Sequence, residues 1–194
     1  EFITKNGIDS ICKFLINEKD LLSNTKIIKA QNIDNKWILE DEKHEIYEDF
    51  DLLFITIPAP QIFEMQIELP VDFKEKLSNI KYNSIFSMIL YSNEDIKLNE
   101  NKLYENTDIE NIINNSKKYG YKDFNSYVIH SSKEFANNVN DKSIEEVFEI
   151  FMKNFDDETL KNFDKFTIIP HFWKYAITKN SLDMPYFLKK KKNI

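Results

Sequence analysis

A chain of 194 residues with two glycines, Gly7 and Gly120, contains no Gly-x-Gly-x-x-Gly turn, and that shortage limits which folds it can complete alone. The turn needs glycine because its backbone must approach a pyrophosphate closely and adopt angles that a Cβ disfavours. Proline supplies the main punctuation instead. The segment Asp51-Leu-Leu-Phe-Ile-Thr-Ile-Pro-Ala-Pro-Gln61 runs from an apolar stretch into a Pro-rich turn, and Pro170-His-Phe-Trp-Lys-Tyr-Ala176 sets aromatic residues beside a histidine.

With 16 Phe, 9 Tyr and 2 Trp, the chain has enough apolar volume to bury a core, and a disordered composition is excluded. A net charge of -7 argues against general nucleic-acid binding, which requires a basic surface to neutralise phosphates. The run Lys189–Lys192 is a local exception and reads as a solvated tail. No apolar run reaches the roughly 18 residues that span a bilayer, so no membrane association is expected. The single cysteine, Cys12, has no disulfide partner within the chain; it is expected as a small buried hydrophobe, in a reducing cytoplasm. The opening Glu1-Phe2 and the close at Ile194 read as those of an internal fragment.

Periodicity organises the rest. Ile8, Ile11, Cys12, Leu15 and Ile16 mark one face of a helix over residues 6–18. Short strands are expected at Thr25–Ala30, around Lys36–Leu39 and around Glu45–Glu48, separated by polar turns. Leu52–Ile57, apolar or β-branched throughout, reads as a strand covered on both faces, with a short helix over Gln61–Met65 after Pro60. Lys81–Ser92 alternates as a long strand, with Phe86, Met88 and Leu90 on one side and Ile85, Ile89 and Tyr91 on the other. Residues 93–123 read as turns and short strands. A strand over Ser126–Ser131, a helix over Lys133–Val139 and a capping box at Ser143-Ile-Glu-Glu146 follow. The capped helix should bury Val147, Phe148, Phe151 and Phe155 and end near Phe155. A final strand, broken between Phe166–Ile169 and Phe172–Ile177, closes the pattern.

His44, His130, His171 and Cys12 show no metal-ligand spacing, and none of these histidines pairs with the cysteine in a recognisable nucleophile motif; no metal is expected. Glu145-Glu146 and Asp156-Asp157-Glu158 read as solvated charges at helix ends. On a strand, His171, Trp173 and Tyr175 would share one face and set a polar ring beside aromatic walls, a candidate small-molecule site. A buried sheet face with a satisfied histidine is the other reading of the same three residues.

Taken in order, Asn6-Gly7-Ile8 with its helix, Thr25-Lys26-Ile27 with Trp37, the turn Ile57-Pro58-Ala59-Pro60-Gln61, and His171-x-Trp173-Lys174-Tyr175-Ala176 resemble the renalase-like, FAD-dependent amine oxidase family. Asn115-Ser116-Lys117 and Val128-Ile129-His130 extend the match more weakly; Phe172 and Lys118-Tyr119-Gly120 depart from the family's usual residues. The resemblance implies an α+β or α/β chain forming part of a two-domain, hydroxybenzoate-hydroxylase-type FAD-binding fold, chiefly a substrate domain with a mixed sheet and covering helices. It places a partial FAD-binding domain at residues 1–63, a substrate domain at 64–180, and a basic tail or return to the first domain at 181–194. It implies FAD as cofactor of the whole protein, not held firmly by this chain, with Ile27, Pro58, Ala59 and Gln61 on the cofactor side and His171, Trp173 and Tyr175 on the substrate side. The implied reaction is hydride transfer from a small amine or dihydronicotinamide-like molecule to FAD, with reoxidation by dioxygen. A non-enzymatic α+β interaction module that keeps this fold without flavin is the alternative.

Overall fold

The computed structural model describes residues 9–16, 21–94, 96–119, 124–180 and 182. The described residues pack as two units, one running to Lys81 and joined by Asn180, the other spanning Tyr82–Lys179.

In the first unit, α1 (Asp9–Leu15) precedes a hairpin series of β1 (Ile27–Ile33), β2 (Lys36–Asp41) and β3 (Ile46–Phe50). Then come α2 (Ala59–Ile62), β4 (Gln66–Ile67) and α3 (Val71–Ser78). The sheet order is β3-β2-β1-β4, with β4 parallel to β1 and the other pairs antiparallel. Asp34 and Asn35, at φ 49° and 70°, make the two-residue turn between β1 and β2; Asp and Asn tolerate this left-handed region because their side chains bond locally. The next turn is built on buried Asp41, whose carboxylate accepts from the Lys43 and Glu45 amides at 2.8 and 2.9 Å and the Tyr47 hydroxyl at 3.1 Å.

Two expectations for this unit fail. Helix α1 leaves its apolar stripe outward, with Leu15 74% exposed and Cys12 exposed, so Cys12 is no core residue. A seven-residue helix can bury that stripe only against another surface, and the described residues place none over it. Positions 6–8 and 17–18 of the expected helix lie outside the described residues. The run Leu52–Ile57 is not a strand: it is irregular, with Leu52 72% and Phe54 83% exposed. The place beside β1 is taken by β4, and the run pairs with no strand among the described residues. The pairing of β4 with β1 draws residues 66–67 into the first sheet.

The second unit contains β5 (Tyr82–Ser92), α4 (Glu100–Leu103), β6 (Ile109–Asn114), α5 (Asn115–Tyr119) and β7 (Asn125–Ser131). It continues through α6 (Lys133–Asn138), α7 (Ile144–Met152), α8 (Asp157–Phe163) and β8 (Thr167–Thr178). The order β6-β7-β5-β8 is antiparallel at every pairing, so the mixed sheet expected here belongs to the first unit instead. Strands β7 and β8 flank β5 and run in the same direction, so the chain between them must cross the sheet. Helices α6, α7 and α8 lie on that crossover and contribute to the core on one face. Phe86, Met88, Leu90, Tyr127, Ile129, Val147, Phe151 and Phe163 are buried in it. The Phe151 ring meets those of Phe86 and Phe135 edge-on at 5.1 and 5.0 Å.

Strand β8 is continuous through Pro170, where a break was expected. It is an edge strand, where a residue lacking an N–H is tolerated because the outer side needs no ladder bond. Helix α7 carries the capping box at Ser143 and Glu146 but stops at Met152, and α8 begins soon after on Asp156. No helix among the described residues is long and apolar enough to cross a membrane.

Candidate functional site

One face of the second sheet is taken up by the core; the strand pleat gives the other face to alternate residues. On β5 these are Ile85, Ser87, Ile89 and Tyr91, opposite in parity to Phe86, Met88 and Leu90; Ile85 and Ser87 are buried, Ile89 is partly exposed and Tyr91 exposed. Register carries the alternation across the sheet. Ser87 stands between His130 of β7 and His171 of β8, and Asn111 of β6 pairs with His130, which makes one polar row of four. The adjacent row, Ile113, Val128, Ile89 and Ile169, is wholly apolar, and Ile85 pairs with Trp173.

The structure brings His171 and Trp173 together as their alternation requires, with ring centroids 4.2 Å apart at 64° and both side chains exposed. Tyr175 is set apart from them. Between Trp173 and Ile177 four steps of β8 oppose two of β5, an irregularity tied down by the Ser84 hydroxyl donating to the Lys174 carbonyl at 3.0 Å. The Tyr175 ring packs edge-on against Tyr82 at 5.5 Å.

Ser87, Asn111 and His130 are polar members of this face that the sequence reading did not put forward as site residues, His130 having entered only in the weaker part of the resemblance. His130 is half-buried, and burial pushes its imidazole below the ordinary value, partly opposed by the Glu110 carboxylate. It is therefore chiefly neutral at pH 7, with one ring nitrogen to donate and one to accept. Ser87 is 2% exposed, and its Oγ is buried without a hydrogen-bond partner.

The cofactor-side candidates lie in the first unit. Ile27 begins β1, paired with Asp41. Pro58, Ala59 and Gln61 form the start of α2, where Pro58 is the N-cap without a side-chain cap bond and Ala59 is buried. These residues offer apolar surface and a short helical turn. They do not fit a pyrophosphate, since α2 has four residues and the chain's two glycines are dispersed at positions 7 and 120. Among the described residues no group of His, Cys, Asp and Glu converges as a metal site.

A shallow cleft elsewhere in the second unit is lined by Leu98, Asn99, Lys102, Leu103, Glu158, Thr159 and Asn162. Lys102 bridges Asp156 and Glu158 there, at 2.7 Å each. The acidic run read as merely solvated is exposed yet paired, and its work is to join α4 to the start of α8. Lys102 holds the Asp156 carboxyl at about 2, with further lowering from the Thr159 amide and hydroxyl.

No family model matches the chain. In sequence it is similar to renalase from Mus musculus, 27% identical over 104 residues, covering 50% of this chain and 30% of that protein. In structure it is similar to a chain named protoporphyrinogen oxidase from Exiguobacterium sp. 255-15, with a TM-score of 0.57 and 13% identity, covering 92% of this chain and 41% of that one. A CLA-producing fatty acid isomerase from P. acnes gives a TM-score of 0.45 at 14% identity, over 80% of this chain and 36% of that one. The chain thus spans under half the length of each of these three proteins. The resemblance to renalase holds over part of the chain, and the fold is that of a portion of the Exiguobacterium protein.

Proposed function

We propose that this chain is the substrate-side portion of a flavin-dependent oxidoreductase, with the Gly-rich dinucleotide-binding unit supplied by further polypeptide. When bound in the whole protein, FAD would accept a hydride from a small amine or dihydronicotinamide-like substrate and be reoxidised by dioxygen. The observation that carries the reading is the open face of the second sheet. An apolar row there lies beside a polar one, and the His171–Trp173 pair stands at one edge. The sequence similarity to renalase supports it.

The chain's own residues would bind and orient rather than carry the redox step. Trp173 offers a large flat surface to a planar ring, His171 a polar tip next to it, and Ile85, Ile89 and Val128 an apolar floor. Pro58, Ala59 and Gln61, in the first unit, are the cofactor-side candidates.

The test is peroxide release by the whole protein over a panel of small amines and dihydronicotinamides. Trp173→Ala and His171→Ala are expected to lower kcat/KM by at least about tenfold at unchanged flavin content. Unchanged kcat/KM in both variants would remove this face from the substrate side.

A further inference from the structure

We infer that Ser84 is a positioning residue for the open face of the second sheet: its hydroxyl holds a register of β8 in which Ile177, and not Tyr175, stands opposite Asn83. The inference rests on reading that face as the substrate side and names what decides which side chain occupies the place following Trp173.

Three observations converge. First, β8 carries a surplus of chain. It takes four steps from Trp173 to Ile177 while β5 takes two, from Ile85 to Asn83. A surplus of one residue would turn every later side chain of β8 to the other face; a surplus of two keeps the faces and changes which residue fills each place. In an unbroken ladder Tyr175 would stand opposite Asn83. Here Ile177 does, and the Tyr175 ring lies against Tyr82 at 5.5 Å. Second, side chains hold the surplus at both ends. Ser84, 4% exposed, donates from Oγ to the Lys174 carbonyl at 3.0 Å. Lys174 pairs with no residue of β5 in the ladder, and the hydroxyl supplies the donor that the bulge has removed. Past the end of the ladder, the Asn180 carboxamide accepts from the Lys81 amide and donates to the Asn79 carbonyl, at 2.7 Å each. Third, Ser84 is itself fixed from the β7 side. The β5–β7 pairing begins only at Ser87, and the Ser84 amide donates instead to Asn137 Oδ1 of α6 at 3.0 Å. Side chains therefore do at this point what ladder bonds do along the rest of β5. The consequence for the site is chemical: Ile177, 45% exposed, presents an aliphatic side chain where Tyr175 would present a phenol.

The test uses the 194-residue chain with Trp37→Phe, so that Trp173 is its single tryptophan. Cross-strand NMR contacts are expected between Asn83 and Ile177 and between the Tyr175 and Tyr82 rings. Ser84→Ala should move the balance toward the unbroken register by about fivefold, and Ser84→Ala with Asn180→Ala should move it further. The signs are a new Asn83–Tyr175 contact and weaker acrylamide quenching of Trp173, which Tyr175 would then cover. Ser84→Thr keeps the hydroxyl and should keep the parent's contacts and quenching. A parent without the Asn83–Ile177 contact would overturn the inference. So would a double variant that keeps the parent's contacts and quenching, even if it melts at a lower temperature, because that is the mark of a merely structural hydroxyl. Should the double variant fail to fold, the same readings on Ser84→Ala decide. In the whole protein Ser84→Ala should raise KM at unchanged kcat and flavin content, and a register shift with KM unchanged would overturn the role in the site. The register readings need neither flavin nor substrate, so they fail separately from the reading of the face as the substrate side.

Discussion

Burial holds the His130 imidazole below its ordinary value, and this gives the chain a specific sensitivity to acid. A depressed histidine takes up its proton more readily in the unfolded chain. Its effect is absent well above the ordinary value of about 6.5, and stability is lost as pH falls from there through the folded value. An NMR titration should place His130 below that ordinary value, and His130→Gln should remove this part of the pH dependence; a titration at or above it would contradict the burial described here. Asp156 moves in the same direction for a different reason. Lys102 and the Thr159 amide hold it at about 2, so its contribution is present above about 3.9 and lost as pH falls through about 2. Lys102→Met should raise the Asp156 midpoint toward the ordinary carboxylate range, and added salt should do so partly, because the pair is exposed. At this scale alternation in the sequence put His171 and Trp173 on one face, and the structure sets their rings side by side; their selection as candidates came from the resemblance. Ser87 and His130 became visible only through pairing register, which no local pattern on β5 or β7 encodes.

Elements whose chemistry and periodicity agree were the legible ones. Helix α7 has a capping box followed by inward Val147 and Phe151, and Ser143→Ala should cost about 1 kcal/mol in denaturant unfolding. On β5, Phe86 meets Phe151 edge-on and Phe135 at a tilt, and Phe86→Ala should cost about 3–5 kcal/mol. A cost under about 1 kcal/mol would contradict that core. Helix α3 was missed because Leu77 is its one fully buried residue, leaving a faint apolar stripe; Pro70 followed by Asp72 was the available signal. Helix α8 was missed because Asp156, Asp157 and Glu158 read as terminal charges of the preceding helix. Asp156 is in fact the N-cap of the next helix, accepting from the Thr159 amide at 2.8 Å. Leu52–Ile57 failed for the reverse reason: its composition suits a strand, but a strand also requires a paired neighbour, and composition does not report whether one is formed.

The molecule as a whole pairs a second unit with a well-filled core and a first unit that leaves much apolar surface outward. Phe54→Ser tests that contrast directly. It should change stability of this chain by less than about 0.5 kcal/mol, as for a surface site, whereas a doubly covered strand would lose about 3–5 kcal/mol. The outward surface of α1 and of residues 52–57 accords with a chain that spans 41% of the structure whose fold it shares. The central claim is that the chain supplies the substrate side and not the nucleotide cradle. The direct measurement is visible flavin absorbance after adding FAD to the 194-residue chain and to the whole protein. The account predicts a yellow whole protein and a colourless 194-residue chain. A whole protein that stays colourless and takes up no added FAD would contradict it, and would leave an interaction module built on the same two sheets.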